Sequence, residues 1–311
     1  MKTMFVFIGG PIVLFVIVLL VGRSLSNGGE QSATAQGPSI DLGKSLYRDR
    51  CTMCHGEDGK GNGYAAPIVH PRPRDFTRGL FKFRTTESGS IPTDADLERT
   101  VTLGLHGTAM PDWGSFLKGD SLKAVIAYIK SFSPRFVNEQ PRPVKIGAVI
   151  PTSAASIEAG KKVFEKLQCA SCHGSDGTGK DATASDFSDD LGNEIFAANL
   201  TEPWTFRGGA TTTDIYHRFR TGIDGSPMPS YIGSATDREM WDLSNYIVSL
   251  AQKPIWEITA SEVSQRYEAL QQKSKADPIT YGKQLVRVYG CITCHSAYDE
   301  KGFMIDRKSV V

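Results

Sequence analysis

The chain has 311 residues, with Lys+Arg 35 against Asp+Glu 34 and a formal charge of +1. That balance excludes the basic footprint of a nucleic-acid binder and any long charged tail. Hydrophobic residues at 40% and charged residues at 22% exclude wholesale disorder, and the length fits about two domains.

The first element is an apolar run from Met4 to Gly22. As a helix it would span roughly 28 Å, close to the hydrocarbon thickness of a bilayer, so residues 1–23 read as a transmembrane anchor. Ala33-Thr34-Ala35 resembles a signal-peptidase site, which keeps a cleaved leader as the rival reading. One positive charge on each side, Lys2 and Arg23, gives no orientation. Residues 24–38 are small and polar and read as a flexible tether.

Residues 39–134 read as a first helical domain. A predicted helix, IDLGKSLYRDR, runs into CTMCH, where Cys51, Cys54 and His55 form a C-x-x-C-H string. DADLERTVTLG and SLKAVIAYIKSF are predicted helices on either side of the loop GLHGTAMPDW, with Asp120 as the candidate N-cap of the second. Four prolines stand between Ser133 and Ser153, and residues 135–152 read as an extended, stiff linker that limits the distance between its neighbours.

Residues 153–252 repeat the first domain. At an offset of 118, Cys169, Cys172 and His173 match the first motif, Gly222 and Gly225 match Gly104 and Gly107, and Met228-Pro229 matches Met110-Pro111. The register slips only locally, where one copy holds PRDF and the other AANL. Thr236 or Asp237 should cap the closing helix REMWDLSNYIVSL. Residues 253–311 read as a helical extension ending in a third motif, Cys291, Cys294 and His295. Sixteen residues follow His295, too few for a Met loop and a closing helix, so the third unit reads as truncated.

Three C-x-x-C-H strings use all six cysteines. Two cysteines three apart lie on one side of a helical turn, where both thiols can add to the vinyl groups of one haem. The adjoining histidine is then carried under the iron as the proximal ligand. The pattern predicts three covalently bound c-type haems. A zinc ribbon would need two C-x-x-C pairs to close one site, and a redox dithiol has no use for the histidine.

With these motifs in place, the sequence resembles a membrane-anchored, multihaem class I c-type cytochrome, similar to the cytochrome c subunits of respiratory complexes. The resemblance covers roughly residues 40–134 and 153–251, and 279–311 in part. It implies a mainly α fold of two tandem class I domains, a truncated third haem segment and one N-terminal transmembrane helix. It implies Met110 and Met228 as the sixth iron ligands of the first two haems; a neutral thioether favours ferrous iron and raises the potential. For the third haem, Met304, His70 or His106, a partner's residue and a vacant site all stay open. Arg72, Arg74, Arg84 and Arg207 are candidates to neutralise haem propionates, with a solvated loop the alternative for the first three. His217, at the place of Arg99 in the first unit, reads as a surface or packing residue.

The functional expectation is electron transfer without catalysis by this chain, in a respiratory or photosynthetic membrane complex with other redox subunits as partners. The anchor would sit in the inner membrane with the haem domains on the periplasmic side. The competing reading is a haem enzyme of the dihaem peroxidase type with the third haem as its open site. The exposed third haem is expected to lie at a subunit interface.

Overall fold

The computed structural model describes residues 39–253 apart from 180 and 185, together with residues 261, 272, 275, 278 and 279. The apolar run 4–22 and the third motif, with Cys291, Cys294, His295 and Met304, lie outside the described residues. Among the described residues no helix is long and apolar enough to cross a membrane.

The first repeat opens with α1 (Ile40–Arg50), capped by the Ser39 hydroxyl on the Leu42 N–H. It turns into the one-turn α2 (Thr52–His55), then α3 (Asp94–Leu103) and α4 (Asp120–Ser131). After the four-residue α5 (Arg135–Asn138) the chain runs extended to the second repeat. That repeat holds α6 (Ala154–Lys166), α7 (Ala170–His173), α8 (Thr212–Thr221) and α9 (Asp237–Ser249). A short antiparallel hairpin, β1 (Phe187–Ser188) with β2 (Glu194–Ile195), lies between α7 and α8.

In each repeat the first helix crosses the last at a glycine. A Cβ on Gly43 would lie 2.0 Å from the Ala124 carbonyl oxygen, and one on Gly160 would lie 2.0 Å from that of Asp242. Only glycine lets the helices come this close, which explains why both copies carry it at that point. The close approach brings Tyr47 against Tyr128 in one repeat and Phe164 against Tyr246 in the other, at 5.2 and 5.5 Å between ring centres. These pairs belong to two separate apolar cores, one per repeat.

The caps repeat as well, with one correction. Thr93 with Asp96 and Thr211 with Asp214 form reciprocal capping boxes on α3 and α8. Thr236, not Asp237, caps α9, in a box with Glu239. Asp120 is not the N-cap of α4: it is the first helical residue, and Gly119 stands at the cap without a side-chain bond.

The linker is extended, as its prolines require, and it is bonded to both repeats. It is strapped to the first repeat by Glu87 N–H to Arg142 O and Val144 N–H to Thr85 O, both at 2.9 Å. It is tied to the second by the buried Asn245, whose amide donates to Ile150 O at 3.1 Å. The repeats touch directly along a seam, and both belong to one compact unit.

Candidate haem sites

Each of the first two motifs sits on a single helical turn ended by a glycine at positive φ, Gly56 (74°) and Gly174 (75°). His55 Nδ1 lies 3.2 Å from the Arg74 carbonyl oxygen, and His173 Nδ1 lies 2.9 Å from that of Ala198. A carbonyl only accepts, so Nδ1 carries the proton and the Nε2 lone pair is free for a metal. Burial holds the His55 pKa down to about 4 and lowers that of His173 as well, which keeps both imidazoles neutral at pH 7. Phe76 stacks on the His55 ring at 4.4 Å.

None of Cys51, Cys54, Cys169 and Cys172 is in a disulfide. Burial pushes the Cys51 and Cys169 thiols up to about 11 and raises that of Cys54. A redox dithiol needs the opposite, a lowered thiol pKa. Two cysteines three residues apart, beside an imidazole with a free Nε2, fit a haem attached through two thioethers.

The methionine loops are copies at the level of hydrogen bonds. Leu105 N–H donates to Met110 O at 3.1 Å, and Ile223 N–H to Met228 O at 3.0 Å. Thr108 and Ser226 hydroxyls donate to Leu105 O and Ile223 O, both at 2.7 Å. The same hydroxyls accept from the N–H groups of Met110 and Met228. Gly104 and Gly222, at φ 64° and 63°, start the loops; a Cβ on either would strike the Met-Pro segment. Met110 is half-buried, and Met228 packs against the core cluster that contains Cys169.

The local slip in register has a structural cause. The offset between the carbonyl partners Arg74 and Ala198 is 124 rather than 118, and it returns to 118 at the caps Thr93 and Thr211. The second repeat gains its extra residues before Ala198, in the β1–β2 hairpin; the first gains its own between Thr77 and Thr93. Both insertions build the seam. Asp190, from the hairpin, takes Arg74 Nη2 at 2.8 Å and Arg78 Nη1 at 2.6 Å. Asp189 faces Lys82 at 3.8 Å. Asp224 takes Arg84 at 2.7 Å, the Ser88 hydroxyl at 2.9 Å and the Gly89 N–H at 2.8 Å. In return, Arg218 donates to Arg84 O at 2.7 Å and lies over the Phe83 ring.

The seam corrects several expectations. Arg84 is not a solvated or propionate-facing group: its side chain is fully buried and bonded to Asp224 and to the carbonyls of Phe81, Glu87 and Thr221. Arg74 is committed to Asp190, and Arg72 donates to Ala66 O. His70 is buried against Phe196 of the second repeat, whereas His106 is exposed. Arg207 has no hydrogen bond or ion pair among the described residues, and burial lowers its pKa. His217 is a buried packing residue, while its counterpart Arg99 crosses the seam to Asp214 and Gly208 O. None of the acidic seam partners was singled out from the sequence; the paired insertions were the available signal.

The family described as Cytochrome c matches residues 157–251, and that described as Cytochrome C oxidase, cbb3-type, subunit III matches residues 38–129. A Cbb3-type cytochrome c oxidase subunit CcoP of Rubrivivax gelatinosus is 25% identical over 71% of this chain and 58% of its own length. Its counterpart in Cereibacter sphaeroides is 26% identical over 70% of this chain and 65% of its own. The chain thus spans less than two thirds of the length of these relatives. A solved chain of the Kuenenia stuttgartiensis reducing HAO-like protein complex is 42% identical, with a TM-score of 0.65, over 68% of this chain and 96% of that one. With two C-x-x-C-H helices, two carbonyl-anchored histidines and two copied methionine loops, the chain belongs to the multihaem class I c-type cytochromes.

Proposed function

We propose that this chain is an electron carrier of a respiratory or photosynthetic membrane complex, holding three covalent haems and performing no catalysis of its own. Cys51 with Cys54, Cys169 with Cys172, and Cys291 with Cys294 would form the thioethers. His55, His173 and His295 would be the proximal iron ligands, with Met110, Met228 and Met304 opposite them. The domain plan is an anchor over 1–23, a tether over 24–38, cytochrome domains over 39–134 and 153–252 joined by the linker 135–152, and a third haem segment over 253–311. The anchor would hold the haem domains at the periplasmic face of the inner membrane, against other redox subunits.

A bound haem supplies the chemistry, a one-electron change at iron. The chain's own residues do the rest. The carbonyls of Arg74 and Ala198 fix the tautomer and tilt of the two imidazoles. The Met loops hold their thioethers by hydrogen bonds that do not depend on the metal. The observation that carries the reading is this duplication, because two unrelated packing methionines would not share one hydrogen-bond pattern.

A redox titration of the purified protein, combined with peroxide and carbon monoxide addition, tests it. The expected result is reversible one-electron steps with no peroxide turnover. Met110→His and Met228→His should each lower the potential of one haem and leave the other in place. Steady peroxide consumption would overturn the carrier reading in favour of a peroxidase.

A further inference from the structure

The carbonyl that anchors His55 belongs to Arg74, and the guanidinium of the same residue crosses to the second repeat. There Arg74 Nη2 donates to both carboxylate oxygens of Asp190, at 2.9 and 2.8 Å. The Asp190 N–H donates in turn to the Gly225 carbonyl at 3.2 Å. Gly225 lies three residues before Met228, in the loop that carries it. A Cβ on Gly225 would fall 2.5 Å from Asp190 Oδ1 and 3.0 Å from Arg74 Nη1, so both charges press on that loop. The pair is largely shielded from water, with side-chain exposures of 13% and 17%. The proximal side of the first site therefore abuts the methionine loop of the second through the Arg74–Asp190 ion pair, whose carboxylate is shared with Arg78 at 2.6 Å. The repeat itself does not supply this device, because the counterpart of Arg74 is Ala198.

We propose that Arg74 and Asp190 are positioning residues that form one electrostatic control shared by both haem sites, setting the two potentials together. The inference rests on the reading that His55 and Met228 ligate haem iron. A charge held in a poorly hydrated seam acts at longer range than one in water, and local charge is one of the levers on a haem potential. Arg78 shares the carboxylate, so the cluster holds two cations and one anion. Removing the carboxylate makes the charge beside both sites more positive by one, which favours the reduced iron. Removing the Arg74 guanidinium makes it less positive by one, which favours the oxidised iron.

The test is spectroelectrochemistry on the full, haem-loaded chain and on Asp190→Asn, Arg74→Gln and the double variant. Asp190→Asn should shift both potentials upward and Arg74→Gln should shift both downward. The double variant should return close to the starting values, since the lost charges cancel. The Arg74 carbonyl survives every substitution, so the His/Met absorption spectrum should stay unchanged. A merely structural role would move both single variants in the same direction, or change the spectrum; either result overturns the proposal. So does a shift confined to one haem. A chain without covalent haem at the first two motifs would overturn the functional reading along with it, whereas attached haems with unmoved potentials would overturn this inference alone.

Discussion

The two repeats share their helix crossing, their capping boxes on α3 and α8, and the backbone and hydroxyl hydrogen bonds that surround each methionine, yet they face different surroundings. On the second repeat, Trp241 stacks on Tyr216 at 4.0 Å, and both are fully buried. The same positions in the first repeat hold Lys123, which is exposed, and Glu98, which is half-buried. On the second repeat Ile150, from the linker, packs onto the core that holds Trp241 and Tyr216. The seam is equally one-sided. Asp224, which pairs with Arg84, replaces the exposed His106. Duplication thus kept the groups around the candidate haem and changed the outside, where each copy meets the other.

Trp241→Ala should cost the most, about 4 kcal/mol, because a fully buried aromatic leaves a large cavity. Its indole N–H has no partner, so no hydrogen bond is lost with it. Lys123→Ala at the matching place should change stability by less than about 0.5 kcal/mol. Denaturant melts of the two variants read the contrast, and equal losses would break it.

Asp224→Ala comes next. It leaves the fully buried Arg84 guanidinium without its carboxylate, though three carbonyls remain to it. A loss of about 3 kcal/mol is expected, since stripping one partner from a buried ion pair strands the other charge. His106→Ala should be close to neutral by the same melt. A mild Asp224→Ala would show that the seam carries little stability.

The smallest effect is at the start of α9. Lys166, at 2.6 Å, and the Thr236 N–H hold the Glu239 carboxyl at about 2, below its ordinary 4.5. The folded value is the lower one. The cap's contribution is therefore complete above about pH 4.5 and is lost as pH falls through 2. Glu239→Gln should cost about 1 kcal/mol at pH 7 and nothing at the acid end. The matching residue in the first repeat is Ser121, and α4 has no such box, so Ser121→Ala should leave the acid limb of the stability profile unchanged. A Glu239→Gln curve parallel to the parent's would contradict this.

Much of this was legible in the sequence. The motif strings, the offset of 118 and the glycine-bounded methionine loops located both candidate sites, because ligand spacing and loop length are properties of the chain itself. The carbonyl partners of the histidines are within reach too, since PRDF and AANL stand at matching places in the two copies. The seam was not legible. Arg74, Arg84 and Arg99 carry no mark showing that their carboxylates stand more than a hundred residues away. The linker's contacts were not legible for a related reason: proline fixes extension but does not show which surfaces the strap lies on.

The central claim, that each C-x-x-C-H string carries its own covalent haem, is tested most directly by the intact mass of the chain. The protein would be made with c-type maturation and measured before and after alanine replacement of each cysteine pair. The expected result is a full chain heavier by three haems, and three variants that each lose one. A full chain carrying fewer than three, or a Cys51→Ala/Cys54→Ala or Cys169→Ala/Cys172→Ala variant that keeps its full haem load, would contradict the account.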